Sequence, residues 1–206
     1  MGRIIMLAGL TTLLACAPAT RGQAQATPDS PGDLPAGYGT LSQDDIALNL
    51  RQEELEIRAI PLDEQAIRLL APDAYRSMHE LVRSHRDEID SLARQAGVAN
   101  PGLLLVSYFG RRSGARFDPQ NLSLIIRNQY YRPIGVIPFS PNFGGHQLDV
   151  RERALGVFLY EEQIPVFEVF SIANGITSSA SWEGKISRLQ RERARIQGKI
   201  KQENGG

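Results

Sequence analysis

Apolar and polar positions alternate at the start of the body. Ile46, Leu48 and Leu50 stand two apart with the smaller or polar Ala47 and Asn49 between them, and Leu55, Ile57 and Ala59 repeat the pattern around Glu56 and Arg58. A two-residue period suits half-buried strands, so a hairpin turning at 51–54 is predicted. A helix from Ser42 competes with it, because Ser42 and Asp45 have the spacing of a capping box. Pro61 limits the second strand, and residues 62–70 fit either type.

Over 72–97 the period becomes helical. Tyr75, Met78, Val82, Ile89 and Leu92 recur behind Pro72 and Asp73, and Gly97 is a natural stop, so the spacing predicts one long helix. Its other face carries Arg76, Glu80, Arg83, Asp87, Glu88 and Arg94, the mixed signs of a solvated surface.

Strand patterns then return at 103–109, 122–127, 130–138, 154–160 and 166–172, separated by turn chemistry at 110–114, 128–129, 141–145 and 161–163. The first is apolar almost throughout and reads as central, whereas Leu122, Leu124 and Ile126 alternate as if one face were wet. A last helix is predicted over about 181–203, capped by Ser179 or Ser181. Trp182, Ile186, Leu189, Ile196 and Ile200 form its stripe, and Arg193 stands at the missing apolar position. Together these elements predict an α+β fold, mainly an antiparallel β-sandwich, with one long helix before the main strands and a C-terminal amphipathic helix. An immunoglobulin-like sandwich follows from strand count alone. The cysteine pair of that fold is absent, and Trp182 falls after the strands.

The N-terminal pattern is different in kind. Met1 to Arg3 make a short cationic start, and positions 4–15 are apolar or small. A membrane-spanning helix needs roughly 20 apolar residues, and here Pro18, Arg21 and Gln23 follow almost at once, so the run reads as a cleaved export signal. An ordinary secretory cut could use Ala15-Cys16-Ala17 or Ala24-Gln25-Ala26. The stretch Leu13, Leu14, Ala15, Cys16, however, resembles the lipobox of bacterial lipoproteins. That resemblance implies cleavage between Ala15 and Cys16, diacylglycerol on the Cys16 sulfur, and often a further acyl chain such as palmitate on the new amino end. Ala17, where a retention signal would place aspartate, implies the periplasmic face of an outer membrane.

Composition sharpens this picture. Cys16 is the only cysteine, so a lipidated chain would have neither a disulfide nor a cysteine metal site. Residues 16–40 are rich in Pro, Gly, Ala, Thr and Gln and cannot build a core. They read as a tether of roughly 25 to 30 Å as a random coil. The expected organisation is a signal peptide at 1–15, a lipid-anchored tether at 16–40 and one domain at 41–206. With 23 basic and 23 acidic residues, no global field favours nucleic acid.

The charge is nonetheless uneven. From Trp182 to Glu203 there are seven basic and three acidic residues, which makes Trp182, Lys185, Arg188, Arg191 and Arg195 a candidate surface for anionic lipid headgroups or an acidic partner. Such a free helix would leave Trp182, Ile186 and Ile196 exposed; a stripe packed on the sheet would bury them. His146 follows a glycine-rich loop and precedes Asp149, and the pair could do general acid or base work in a tethered hydrolase. No nucleophile accompanies them. His79 and His85 are six apart and share no helix face as metal ligands would. The sequence therefore assigns no catalytic residue, metal or cofactor. It points to a membrane-anchored envelope lipoprotein acting as an adaptor, assembly factor or binding module, with an envelope protein as the possible partner.

Overall fold

Ser42 and the alternation behind it shape the chain in succession. The main-chain N–H and the hydroxyl of Ser42 donate to Asp45 Oδ2 at 2.8 and 2.9 Å, closing a cap on a single 3-10 turn, Gln43–Ile46. Ala47 then takes up extended backbone, and β1 (Leu48–Arg51) pairs antiparallel with β2 (Leu55–Pro61), Leu48 opposite Ala59. Hairpin and capped turn thus both form. The computed structural model describes residues 34–179 and 182–204. The signal segment, Ala15, Cys16, the tether up to residue 33 and the possible cap Ser181 lie outside the described residues.

After β2 comes a short helix, α1 (Glu64–Ile67), whose N-cap Asp63 accepts the Gln65 N–H at 2.9 Å. The single long helix expected over 72–97 is two, α2 (Pro72–Ser84) and α3 (Arg86–Ala96), broken at His85 (φ −111°, ψ 15°). The cause is local. Leu81 O accepts the Ser84 hydroxyl at 3.1 Å and lies 3.0 Å from His85 Nδ1, while the His85 N–H turns to Arg83 O. Side-chain bonds of this kind compete with the helical ladder. The break lets Tyr75 and Met78 of α2 and Ile89 and Ala93 of α3 all be buried. Gly97 ends α3 in the left-handed region at φ 72°, the usual glycine stop.

The remaining elements are β3 (Gly102–Gly110), β4 (Ala115–Arg116), β5 (Leu122–Ile126), β6 (Gln129–Tyr131), β7 (Gly135–Pro138), β8 (Gln147–Leu148), β9 (Arg153–Tyr160), β10 (Phe170–Asn174), β11 (Thr177–Ser179) and α4 (Glu183–Asn204). They form a five-stranded sheet of order β1-β2-β3-β9-β7, a four-stranded sheet of order β11-β10-β5-β6, and the two-stranded ribbon β4-β8. Pairing within the three sheets is antiparallel. In an immunoglobulin-like sandwich the third strand crosses to the opposite sheet, whereas here the first three strands are neighbours in one. The segment 130–138, expected as one strand, is divided between sheets around Pro133, which has no N–H to give to a ladder. The strand expected from 166 begins only at Phe170, because a turn closed by Glu168 N–H to Pro165 O takes its first half.

Both larger sheets contribute to one apolar cluster. The Tyr160 hydroxyl joins them, donating to Leu122 O at 3.0 Å. Helix α4 adds the buried Leu189 and Ile196, and Trp182 just before it is buried as well. Residues before 41 also pack on the body. Leu34 is buried and its carbonyl accepts from Arg68; Leu41 N–H donates to Leu69 O and Leu41 O accepts from Ala71 N–H. A Cβ on Gly39 would collide with the main chain of Leu69 and Leu70. The segment 34–41 is therefore a strap packed on the body and no longer tether.

Candidate functional site

Four of the five candidates on and just before α4 are engaged by the body. Trp182 is fully buried, with Nε1–H donating to Val166 O at 3.1 Å and its ring 4.6 Å from Phe170. Lys185 Nζ donates to Asp44 O, Arg188 pairs with Asp45, and Arg195 pairs with Glu192 and reaches Tyr38 O. Arg191 is exposed. The exposed Trp182, Ile186 and Ile196 that a free helix requires are not found. Trp182 and Ile196 are buried and Ile186 packs against the core. Trp182 is a core residue, and of the candidate cations Arg188 and Arg195 are paired with acids of the same chain while Lys185 meets a main-chain carbonyl.

Nor does the structure assemble the expected pair of His146 and Asp149. Asp149 Oδ1 accepts the Ser113 hydroxyl at 2.6 Å and the Gly114 N–H at 3.2 Å, and these two bonds, Ser113 first, hold its carboxyl below the ordinary range. The carboxylate staples the 110–114 turn. The two arginines of that turn are likewise engaged by the chain, Arg111 donating to Gln52 O and Arg112 pairing with Glu53 at 2.6 Å. Among the described residues no group of three or more histidines, cysteines or acids is placed to hold a metal, and no helix is long and apolar enough to cross a membrane.

His146 stands elsewhere, in a cleft of about 760 Å³. One wall is the β4-β8 ribbon and its flanks, with Arg116, Phe117, Asp118 and Asn121 on one side and Gly145, His146 and Gln147 on the other. The opposite wall joins two hairpin turns, Gln52 from β1–β2 and 174–176 from β10–β11. Those turns are clamped to each other: Gln52 Nε2 donates to Asn174 O at 2.9 Å and Asn174 Nδ2 to Gln52 Oε1 at 3.0 Å. The cleft floor is packed aromatic core. Phe117 is buried against Tyr108 (ring centroids 4.5 Å) and Phe143 (5.5 Å). Burial pushes the Tyr108 hydroxyl far above its ordinary range, with Asp118 adding to the effect.

The exposed lining is polar and open. Arg116, Asp118, Asn121, His146 and Gln147 all face solvent, and Ile176 is fully exposed on the rim. His146 is in the left-handed region at φ 51°, which non-glycine residues rarely adopt. A second, smaller cleft of about 260 Å³ between α1 and α3 differs, because its charges are internally matched: Arg86 bonds Asp90 at 3.1 Å, and Glu64 bonds Arg68 and His79.

Of this site the sequence reading singled out His146 alone. Arg116, Gln147 and Ile176 carry no local motif, although the dipeptide Asn174-Gly175 is a strong hairpin signal and marks the turn that presents Ile176. Comparison with protein families, with curated proteins and with solved structures finds no match to this chain.

Proposed function

We propose that this chain is a lipid-anchored protein of a bacterial cell envelope whose body binds a partner at the 760 Å³ cleft. One observation carries the reading: Leu13, Leu14, Ala15 and Cys16 coincide at the end of a short apolar run that is followed by a tether-like composition. Two or three acyl chains on the new N-terminus would hold firmly, at about 0.8 kcal/mol per buried methylene. The strap is consistent with a tether joining the body at one defined place, since residues 34–41 run along α4 through Tyr38 and Thr40. Binding is favoured over hydrolysis because Asp149, the carboxylate that the hydrolase reading pairs with His146, is engaged by Ser113 and Gly114. Binding of anionic lipid by α4 is less favoured, since Lys185, Arg188 and Arg195 already meet Asp44, Asp45 and Glu192.

The test is metabolic labelling with palmitate in a bacterial host, beside a Cys16→Ala chain. The native chain is expected to take up label and sediment with membranes, and the variant to do neither. A Cys16→Ala chain that still sediments with membranes would show that the anchor lies elsewhere.

A further inference from the structure

We propose that the cleft is a saccharide site, which hydrogen-bonds the neighbouring hydroxyls of a short, uncharged oligosaccharide. This names the ligand for the binding role proposed above and rests on it, while the lipid anchor is independent. The side chains that line the cleft are the first argument. Arg116, Asp118, Asn121 and Gln147 bring a guanidinium, a carboxylate and two carboxamides to one concavity. Each is a planar group with polar atoms side by side, and a hydroxyl is donor and acceptor at once. A pair of adjacent hydroxyls therefore meets such a group in the two-pronged way that guanidinium meets carboxylate. All four side chains are exposed and have atoms to spare. The Asp118 carboxylate gives only Oδ1, to the Gln120 N–H at 2.9 Å. Among the described residues no side-chain hydrogen bond or ion pair engages Arg116, Asn121 or Gln147.

The balance of the lining argues against other ligands. Arg116 is offset by Asp118, so no net charge selects an anion or a cation. An apolar ligand needs apolar walls, and the Phe117 ring is only 4% exposed beneath these polar ones. A polypeptide bonds chiefly through its backbone, and β4 and β8 are two residues long, too short an edge for strand addition. The C–H face of a sugar ring needs an apolar neighbour, and Ile176 offers one from the rim with its side chain wholly exposed. The bonds between Gln52 and Asn174 hold the turn that carries it. His146 supplies a further planar group that no hydrogen bond of the described residues engages. It holds φ 51° although glycine stands at 144 and 145, and strain of this kind gathers at functional sites.

The experiment uses the full chain, nitrogen-labelled, in micelles of a detergent without a sugar headgroup. Cellotetraose, maltotetraose and the N-acetylglucosamine tetramer are titrated in, with citrate and tetra-alanine as the anionic and peptide probes. A saccharide site requires that at least one sugar move the Asn121 and Gln147 side-chain amide resonances to saturation. It also requires affinity for that sugar to fall at least tenfold in Gln147→Ala and in Ile176→Ser. Both side chains are exposed, so both variants are expected to keep the native melting temperature. Should either misfold, the resonances of the native chain decide alone. Sugars that leave those resonances unmoved up to their solubility limits, or variants that bind as the native chain does, would overturn the proposal. If citrate or tetra-alanine moves them where no sugar does, the saccharide reading falls and the binding role stands; silence of every probe removes both. Neither result bears on the lipid anchor, which palmitate labelling reads separately.

Discussion

Thr40 gives both of its donors to one oxygen of Glu192, the main-chain N–H at 2.7 Å and the hydroxyl at 2.8 Å, across 152 positions of the chain. Arg195 grips both oxygens of the same carboxylate, Nε donating to Oε2 and Nη2 to Oε1, each at 2.8 Å. Glu192 is thereby a buried acid, 7% exposed, that is fully hydrogen-bonded, as a buried charge must be to persist. It joins the strap to α4 at the point where the chain enters the body.

Removing the charge at Glu192 should loosen this junction in a pH-dependent way. Hydrogen bonding to Arg195 first, and to Thr40 after the opposing effect of burial, holds the Glu192 carboxyl below its ordinary value of 4.5. A depressed folded pKa contributes stability above the unfolded value that is lost as pH falls through the folded one. Glu192→Gln should therefore cost about 1.5–3 kcal/mol at neutral pH, the range for hydrogen bonds to a charged group. Urea unfolding at a series of pH values should show the gap from the native chain closing below about pH 4.5. A gap of constant size would refute the ionic role.

Gly39 makes a sharper test of the strap. The atoms that a Cβ would meet are the Leu69 and Leu70 main chain, which cannot move aside as a side chain can. Gly39→Ala should destabilise by about 1–3 kcal/mol, as overpacking does, and should open residues 34–41 to limited proteolysis. Resistance of that segment equal to the native chain's would show that the close approach is dispensable.

Trp182 reports on whether α4 ever leaves the body. It is the sole tryptophan, so its fluorescence is unambiguous. Emission should be blue-shifted, resist iodide, and stay unchanged when anionic vesicles are added. Trp182→Ala should cost about 3–5 kcal/mol, the range for deleting a large buried aromatic, in thermal or urea unfolding. A vesicle-dependent shift would mean that the helix exchanges its packing for lipid.

What the sequence made legible was periodic. Residues 122–126 alternate at the strand spacing, 102–110 and 153–160 are short, nearly continuous apolar runs of the kind that strands buried on both faces carry, and Gly97 stops a helix as its left-handed φ requires. Non-periodic events were hidden. The apolar stripe from Tyr75 to Leu92 continues across His85, so nothing in its period betrays that Ser84 and His85 capture Leu81 O. Gly37 and Gly39 look like tether by composition, yet the partners of the strap lie at Leu69 and Glu192. The cleft is drawn from four distant stretches, at 52, 116–121, 145–147 and 174–176, and no local motif can describe such a site.

His146→Gly separates stability from binding. Holding an L-residue in the left-handed region costs about 1–2 kcal/mol, and glycine removes that cost while adding about 0.5–1 kcal/mol of unfolded-chain entropy. The imidazole contributes little in return, since it is exposed and its ring contact is with Phe117 at 5.6 Å. The substitution should thus leave stability unchanged or raise it by up to about 1 kcal/mol. Affinity for a cleft-bound partner should nonetheless fall, because His146 lines the cleft. Differential scanning calorimetry and saccharide titration on the same preparation read both quantities. If His146→Gly instead lowers the melting temperature and leaves binding intact, His146 is a structural residue and its backbone conformation serves the fold.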